Sequence, residues 1–160
     1  MSLSLMVASS DEHFRQVVKE NLLNLPNLKL VGDYPEVSAN LYIRVLQDLD
    51  RHPEAGLIID LASDPESGIR ALERVKQAAP GLYIIASNYH ADGETVIASV
   101  RAGANDFLVQ PIRRLDFRDA LTRFEKAPKA ASTTASRLGK VYTFLGVRGG
   151  VGTTTLAVNF

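Results

Sequence analysis

The chain has 160 residues, 18 lysines and arginines against 18 aspartates and glutamates, and no cysteine. An apolar fraction of 46% with 22% charged residues excludes disordered and fibrous classes. The missing cysteines exclude a disulfide framework, a thiol nucleophile and a thiolate metal site, which reads as a cytosolic chain. No apolar run approaches the roughly 20 residues of a membrane span. Met1 to Ser4 lacks a signal peptide's charged region. His13, His52 and His90 are too scattered for a zinc motif and read as inert surface or loop residues.

In chain order, strand-length apolar runs alternate with helix-period segments. Leu3 to Ala8 reads as a strand, and Asp11 to Leu25 as a helix with Phe14, Val17, Val18 and Leu22 on one face. Leu28 to Val31 predicts a second strand, followed by a helix through Leu41, Val45, Leu46 and Leu49. Leu57 to Ile59 is the continuous apolar run of a strand covered on both sides. Ile69, Leu72 and Val75 mark a third helix, closed by Pro80-Gly81. Leu82 to Ala86 predicts a fourth strand, with a helix over Gly93 to Arg101. Phe107 to Val109 is the fifth strand, and Leu115 to Phe124 the last amphipathic helix. Two helix starts carry cap signals. Ser9-Ser10-Asp11-Glu12 fits a capping box with Ser9 as N-cap, and Ser63-Asp64-Pro65-Glu66 offers a cap with proline in the first turn.

Five strand–helix units in succession predict an α/β fold with an open parallel sheet and helices on both faces. Ligands of such sheets gather beyond the carboxyl ends of the strands. The places to look are therefore Ser9–Glu12, Asp60–Asp64, Ser87–His90 and Gln110-Pro111.

The charge balance is uneven along the chain. Residues 1–110 hold nine basic and fifteen acidic side chains, and residues 111–160 hold nine and three. This suggests either a basic surface for an acidic partner or a change of domain. From Ala127 the text turns small and polar, which predicts a linker over 127–138. A new strand follows at Lys140 to Leu145, then the loop Arg148 to Thr155 (RGGVGTTT) and a helix start. A strand, a loop and half a helix cannot bury a core, so 139–160 are expected to open a second domain of a longer protein.

The first 126 residues resemble the receiver domain of two-component response regulators. Asp60 closes the third strand where receivers hold the phospho-accepting aspartate, and Ser87 takes the switch hydroxyl's place. Ala102-Gly103-Ala104-Asn105-Asp106-Phe107-Leu108-Val109-Gln110-Pro111 is close to the family's AGA-x-D-[FY]-[LV]-x-K-P stretch. Phe107 falls at the switch aromatic and Pro111 at the cis proline. The implied fold is CheY-like (flavodoxin-like): a doubly wound five-stranded parallel sheet, (βα)5.

Phosphoryl transfer to a carboxylate also requires Mg²⁺ and a cation for the developing charge. The positions of the family's acid pair are Ser9 and Ser10, and that of its lysine is Gln110. The expectation is a pseudo-receiver that is not an enzyme, with no catalytic residue and no cofactor bound by these residues. Asp60 reads either as a phospho-acceptor or as a carboxylate capping backbone N–H groups. A loop shift would bring Asp11, Glu12 or Asp64 to a metal, which leaves Asp11 and Asp60 as metal candidates.

The loop after Lys140 is similar to the deviant Walker A loop (K-G-G-x-G-K-T-[ST]) of MinD/ParA-type ATPases. With the receiver-like part, the GGVGTTTLAVN wording resembles the CpaE/TadZ family of Tad/Flp pilus assembly proteins. The resemblance implies the start of a P-loop α/β domain. Arg148, Gly149, Gly150, Gly152, Thr153 and Thr154 would meet nucleotide, with ATP and Mg²⁺ bound only by the full-length protein. Thr153 stands at the phosphate lysine, so hydrolysis is not implied. The expected role is a cytoplasmic interaction and targeting module that dimerises, through a face such as that of the fourth and fifth helices. It would recruit pilus or secretion machinery at the cell pole or inner membrane. The alternative is a phosphorylatable receiver with Asp60 as acceptor. Arg113, Arg114, Arg118 and Arg123 lie on a helix without aromatic platforms, so no specific nucleic acid is expected.

Overall fold

The computed structural model describes residues 3–128. The strand, loop and helix start expected over 139–160 lie outside them, as does the expected linker beyond residue 128.

The elements run β1 (Leu3–Ala8), α1 (Glu12–Leu23), β2 (Leu28–Tyr34), α2 (Leu41–Arg51), β3 (Gly56–Asp60), α3 (Pro65–Ala78), β4 (Tyr83–Asn88), α4 (Gly93–Ala102), β5 (Asp106–Val109) and α5 (Arg114–Lys126). All four strand pairings are parallel, in the order β2-β1-β3-β4-β5. This is the CheY-like fold. The period-2 geometry of strands divides the apolar side chains between two layers. Leu5, Val7, Ile58, Ile85 and Leu108 meet Phe14 and Val18 of α1 and Phe117 and Phe124 of α5. Met6, Ala8, Leu57, Ile59 and Ile84 meet Val45 of α2 and Leu72 and Val75 of α3. β3 is buried along its whole length, which explains its unbroken apolar run.

Apart from shifts of one or two residues at other element ends, such as α1 stopping at Leu23 rather than Leu25, two strands and one cap differ from the sequence reading. β2 continues past Val31 to Tyr34, because a bulge shifts the register from Leu5↔Leu30 to Met6↔Gly32 and extends the pairing. β4 begins at Tyr83, since the Leu82 N–H closes the preceding turn on the Ala79 carbonyl. It ends at Asn88 because Ser87 and Asn88 pair with Leu108 and Val109. The capping box at Ser9 does not form. Asp11 is the N-cap of α1, its carboxylate accepting from the His13 N–H, and Ser9 is drawn into a different bond. The third helix starts as expected, with Asp64 as N-cap and Pro65 in its first turn. α4 ends on Gly103 at φ 115°, a left-handed position that glycine adopts without strain.

Candidate functional site

Parallel pairing fixes which residues meet at the carboxyl edge of the sheet. Ala8 pairs with Ile59 and Asp60 with Ser87, so Ser9 comes level with Asp60. Asn88 pairs with Val109, and the Gln110 N–H continues that ladder onto the Asn88 carbonyl at 2.8 Å. Residues far apart in sequence thus gather around one carboxylate.

Asp60 is 4% exposed. Its Oδ2 accepts from the Ser9 hydroxyl at 2.5 Å. Its Oδ1 accepts from Gln110 Nε2 at 2.7 Å and from the Ala62 N–H at 2.9 Å. Ser9 Oγ in turn accepts from the Asp11 N–H at 2.9 Å, which orients its proton toward Asp60. Ser10 Oγ donates to Ser63 Oγ at 2.8 Å, joining the β1–α1 and β3–α3 loops. The two serines at the family's acid-pair positions are therefore both engaged in bonds that hold loops together.

Behind this cluster lies a feature the sequence reading missed. Arg15 of α1 donates from Nη1 to the Ser9 carbonyl at 2.6 Å, and its Nε lies 3.0 Å from Asp33 Oδ1. Lys19, one turn on, reaches the other oxygen of Asp33 at 2.5 Å. The readable signal is a basic pair at i and i+4 on the first helix, opposite an acid two residues beyond Val31. A second strand that ends at Val31 leaves that acid out of the sheet and hides the pairing.

The remaining expected residues stand apart. Ser87 is fully buried beside Asp60, and its hydroxyl has no hydrogen-bond partner. Phe107 is half-buried and packs against the α2–α3 layer. The Gln110–Pro111 peptide is cis. Asp64 and Asp92 cap α3 and α4, and both carboxyls are held below the usual carboxylate range. Hydrogen bonds from Ser67 are the largest cause for Asp64, and the Thr95 N–H is the largest for Asp92. His13 and His90 are exposed, and His52 is the C-cap of α2. Arg148, Gly149, Gly150, Gly152, Thr153 and Thr154 lie outside the described residues.

The donor set does not suit the magnesium ion that the receiver resemblance implies. A hard divalent cation is held through carboxylates. Here the loop after β1 offers two engaged hydroxyls, Asp11 is turned onto its own helix, and both oxygens of Asp60 already accept hydrogen bonds. Among the described residues no three His, Cys, Asp or Glu side chains cluster as metal ligands. Chemically, the arrangement is a neutral clasp on a buried carboxylate.

No family model matches the chain. Among curated proteins it is similar to one from Rickettsia conorii assigned as an NtrX-like response regulator, at 26% identity over 123 residues. Those residues are 76% of this chain and 24% of that protein. A counterpart from Rickettsia felis is 27% identical over 111 residues, 68% of this chain and 22% of its own length. The chain thus spans about a quarter or less of the relatives it matches. Among solved structures, the receiver domain of RcsB from Salmonella enterica, determined with the phosphomimetic BeF3⁻, superposes with TM-score 0.66 at 20% identity. The match covers 81% of this chain and 92% of that one. The chain has the receiver fold. A Burkholderia thailandensis protein assigned to pilus assembly (CpaE) gives TM-score 0.66 at 23% identity, over 78% of this chain and 98% of its own. A pilus assembly-related protein of Burkholderia pseudomallei gives 0.65 at 24%, over 76% and 88%. Among the described residues no helix is long and apolar enough to cross a membrane.

Proposed function

We propose that these residues form a non-catalytic receiver-fold module of a pilus-assembly protein, one that binds protein partners and carries no phosphoryl signal. The observation behind this reading is the closed state of Asp60, whose two oxygens accept three neutral donors at 4% exposure. An acceptor carboxylate needs an oxygen in line with the incoming phosphorus and a cation beside it. Ser9 and Gln110 fill that space without supplying charge. The likeness to the pilus assembly proteins supports the setting: a cytoplasmic module recruited to pole or inner-membrane machinery. Self-association and partner binding are its proposed work. Tyr89, Ile97, Val109 and Leu115, exposed near α4, β5 and the start of α5, give a partner an apolar surface. In the full-length protein the glycine loop of Arg148 to Thr154 would bind nucleotide; a thermal shift with ATP and Mg²⁺ tests that part.

Incubating the chain with acetyl phosphate and Mg²⁺ and recording the intact mass tests the main reading. An unchanged mass is expected, and an adduct lost in Asp60→Asn overturns it. The second reading, a phosphorylatable receiver, draws on the unpartnered Ser87 hydroxyl beside Asp60 and on the response-regulator relatives. It requires a Mg²⁺-dependent spectral change that Asp60→Asn abolishes.

A further inference from the structure

At the opposite edge of the sheet, where β1 and β2 begin, an open groove of about 210 Å³ lies between the α1–β2 turn and α5. Leu3, Leu25, Pro26, Leu28 and Leu121 give it an apolar lining. Arg118, Thr122 and Glu125 of α5 complete it. Leu23, two residues before Leu25, is 84% exposed at the end of α1. Apolar surface left in water at such a place is the mark of a contact yet to be made.

The charges show what covers it. Arg118 and Glu125 are both exposed, and among the described residues neither has an ion-pair partner. They lie two helical turns apart, about 10 Å along the axis, which is too far for them to pair within one helix. Between them are Leu121, which is buried, and Thr122, a small side chain that lets another helix approach closely. Two copies of α5 laid antiparallel, with a two-fold axis between Leu121 and Thr122, set Arg118 of each copy against Glu125 of the other. A two-fold interface must be self-complementary, and this pattern of one cation, a neutral centre and one anion is so. Centring on Thr122 would set Arg118 against Lys126 and Asp119 against Glu125, both like pairs.

We propose that this groove is the self-association surface of the module, covered by a second copy through antiparallel α5 helices. The two Arg118–Glu125 pairs fix the register, and the apolar lining with Leu23 supplies the buried area. This rests on the self-association part of the function proposed above and moves it from the α4–α5 face to the α1–α5 face. It does not depend on the state of Asp60, so a phosphoryl adduct there would leave it standing.

Sedimentation velocity of the 160-residue chain over a range of concentrations tests it. The wild type is expected to dimerise reversibly. Arg118→Glu and Glu125→Arg, both exposed and checked for folding by circular dichroism, are each expected to weaken dimerisation about tenfold or more, since like charges then face each other twice. The deciding step mixes the two single variants. In a mixed pair one contact joins the two substituted side chains and the other joins the two native ones, so opposite charges meet at both. A heterodimer is therefore expected from two chains that do not self-associate, and pairing within one chain cannot produce that result. Leu23→Ser is expected to weaken dimerisation by a smaller factor. A monomeric wild type, a dimer indifferent to both charge reversals, or a mixture that stays monomeric overturns the proposal. The last two outcomes would assign the groove to another segment or another protein.

Discussion

The two edges of the sheet have opposite characters. At the carboxyl edge, Ser9, Asp60 and Gln110 are buried polar residues whose hydrogen bonds are met by one another. At the amino edge, the space between α1 and α5 is open and largely apolar, and its exposed Arg118 and Glu125 have no ion-pair partner among the described residues. In a fold whose ligands gather at the carboxyl edge, the buried, hydrogen-bonded carboxylate sits at that edge and the open apolar groove at the other. On the function proposed above, the contrast teaches how a receiver scaffold is kept while its carboxyl edge serves as a structural clasp. Buried polar groups are tolerated when bonded, and Ser9, Asp60 and Gln110 bond one another, whereas the Ser87 hydroxyl beside them has no hydrogen-bond partner among the described residues.

The first way to break this contrast is to empty the clasp. Asp60→Ala leaves the Ser9 hydroxyl, the Gln110 amide and the Ala62 N–H without their acceptor, and is expected to cost about 3 kcal/mol. Urea denaturation measures it; an unchanged or raised midpoint would mean that the carboxylate is a strained functional group. Ser9→Ala and Gln110→Ala are expected to cost about 1–2 kcal/mol each. Because both donate to one carboxylate, their double variant should cost measurably less or more than the sum. Simple additivity would show that the clasp does not act as a unit.

A smaller effect concerns the caps that flank the closed edge. Asp64 and Asp92 are held ionised below the usual carboxylate range, so the unfolded chain binds their protons first as pH falls. The stability they add is present above the ordinary carboxylate pKa and is lost as pH falls through their lowered values. Asp92→Asn should therefore lose stability near neutrality and converge on the wild type in acid, which flattens the acid limb of a stability–pH curve. A loss that is constant across pH would contradict the cap assignment. The smallest effect belongs to the other edge: Arg118→Ala in the monomer should stay within about 0.5 kcal/mol of wild type. A larger loss would mean that Arg118 supports the fold.

The fold was legible because each apolar run has the length and period of its element. β3 showed itself by Leu57-Ile58-Ile59, and α3 by Asp64-Pro65 ahead of its apolar stripe. The strand ends were less legible, since they depend on neighbours: β4 continues through Ser87 and Asn88 only because β5 pairs with them. At the site, Asp60 and Gln110 could be located from motif spacing, but the role of Ser9 could not. Its partner is 51 residues away, and a local rule assigns it to a helix cap that Asp11 takes instead. Arg15 escapes notice for the same reason, as its partners lie on another strand and in the preceding loop. Sequence patterns report local geometry well, whereas a clasp between strand ends exists only once the sheet has formed.

The closed carboxylate is tested most directly by the amide spectrum of the chain on addition of Mg²⁺ and beryllofluoride. The Ala62 N–H, which bonds Asp60, is the reporter. The resonances of Ala62 and the Gln110 side-chain amide are predicted to stay in place. A saturable shift of both that disappears in Asp60→Asn would show an open acceptor site and contradict the account.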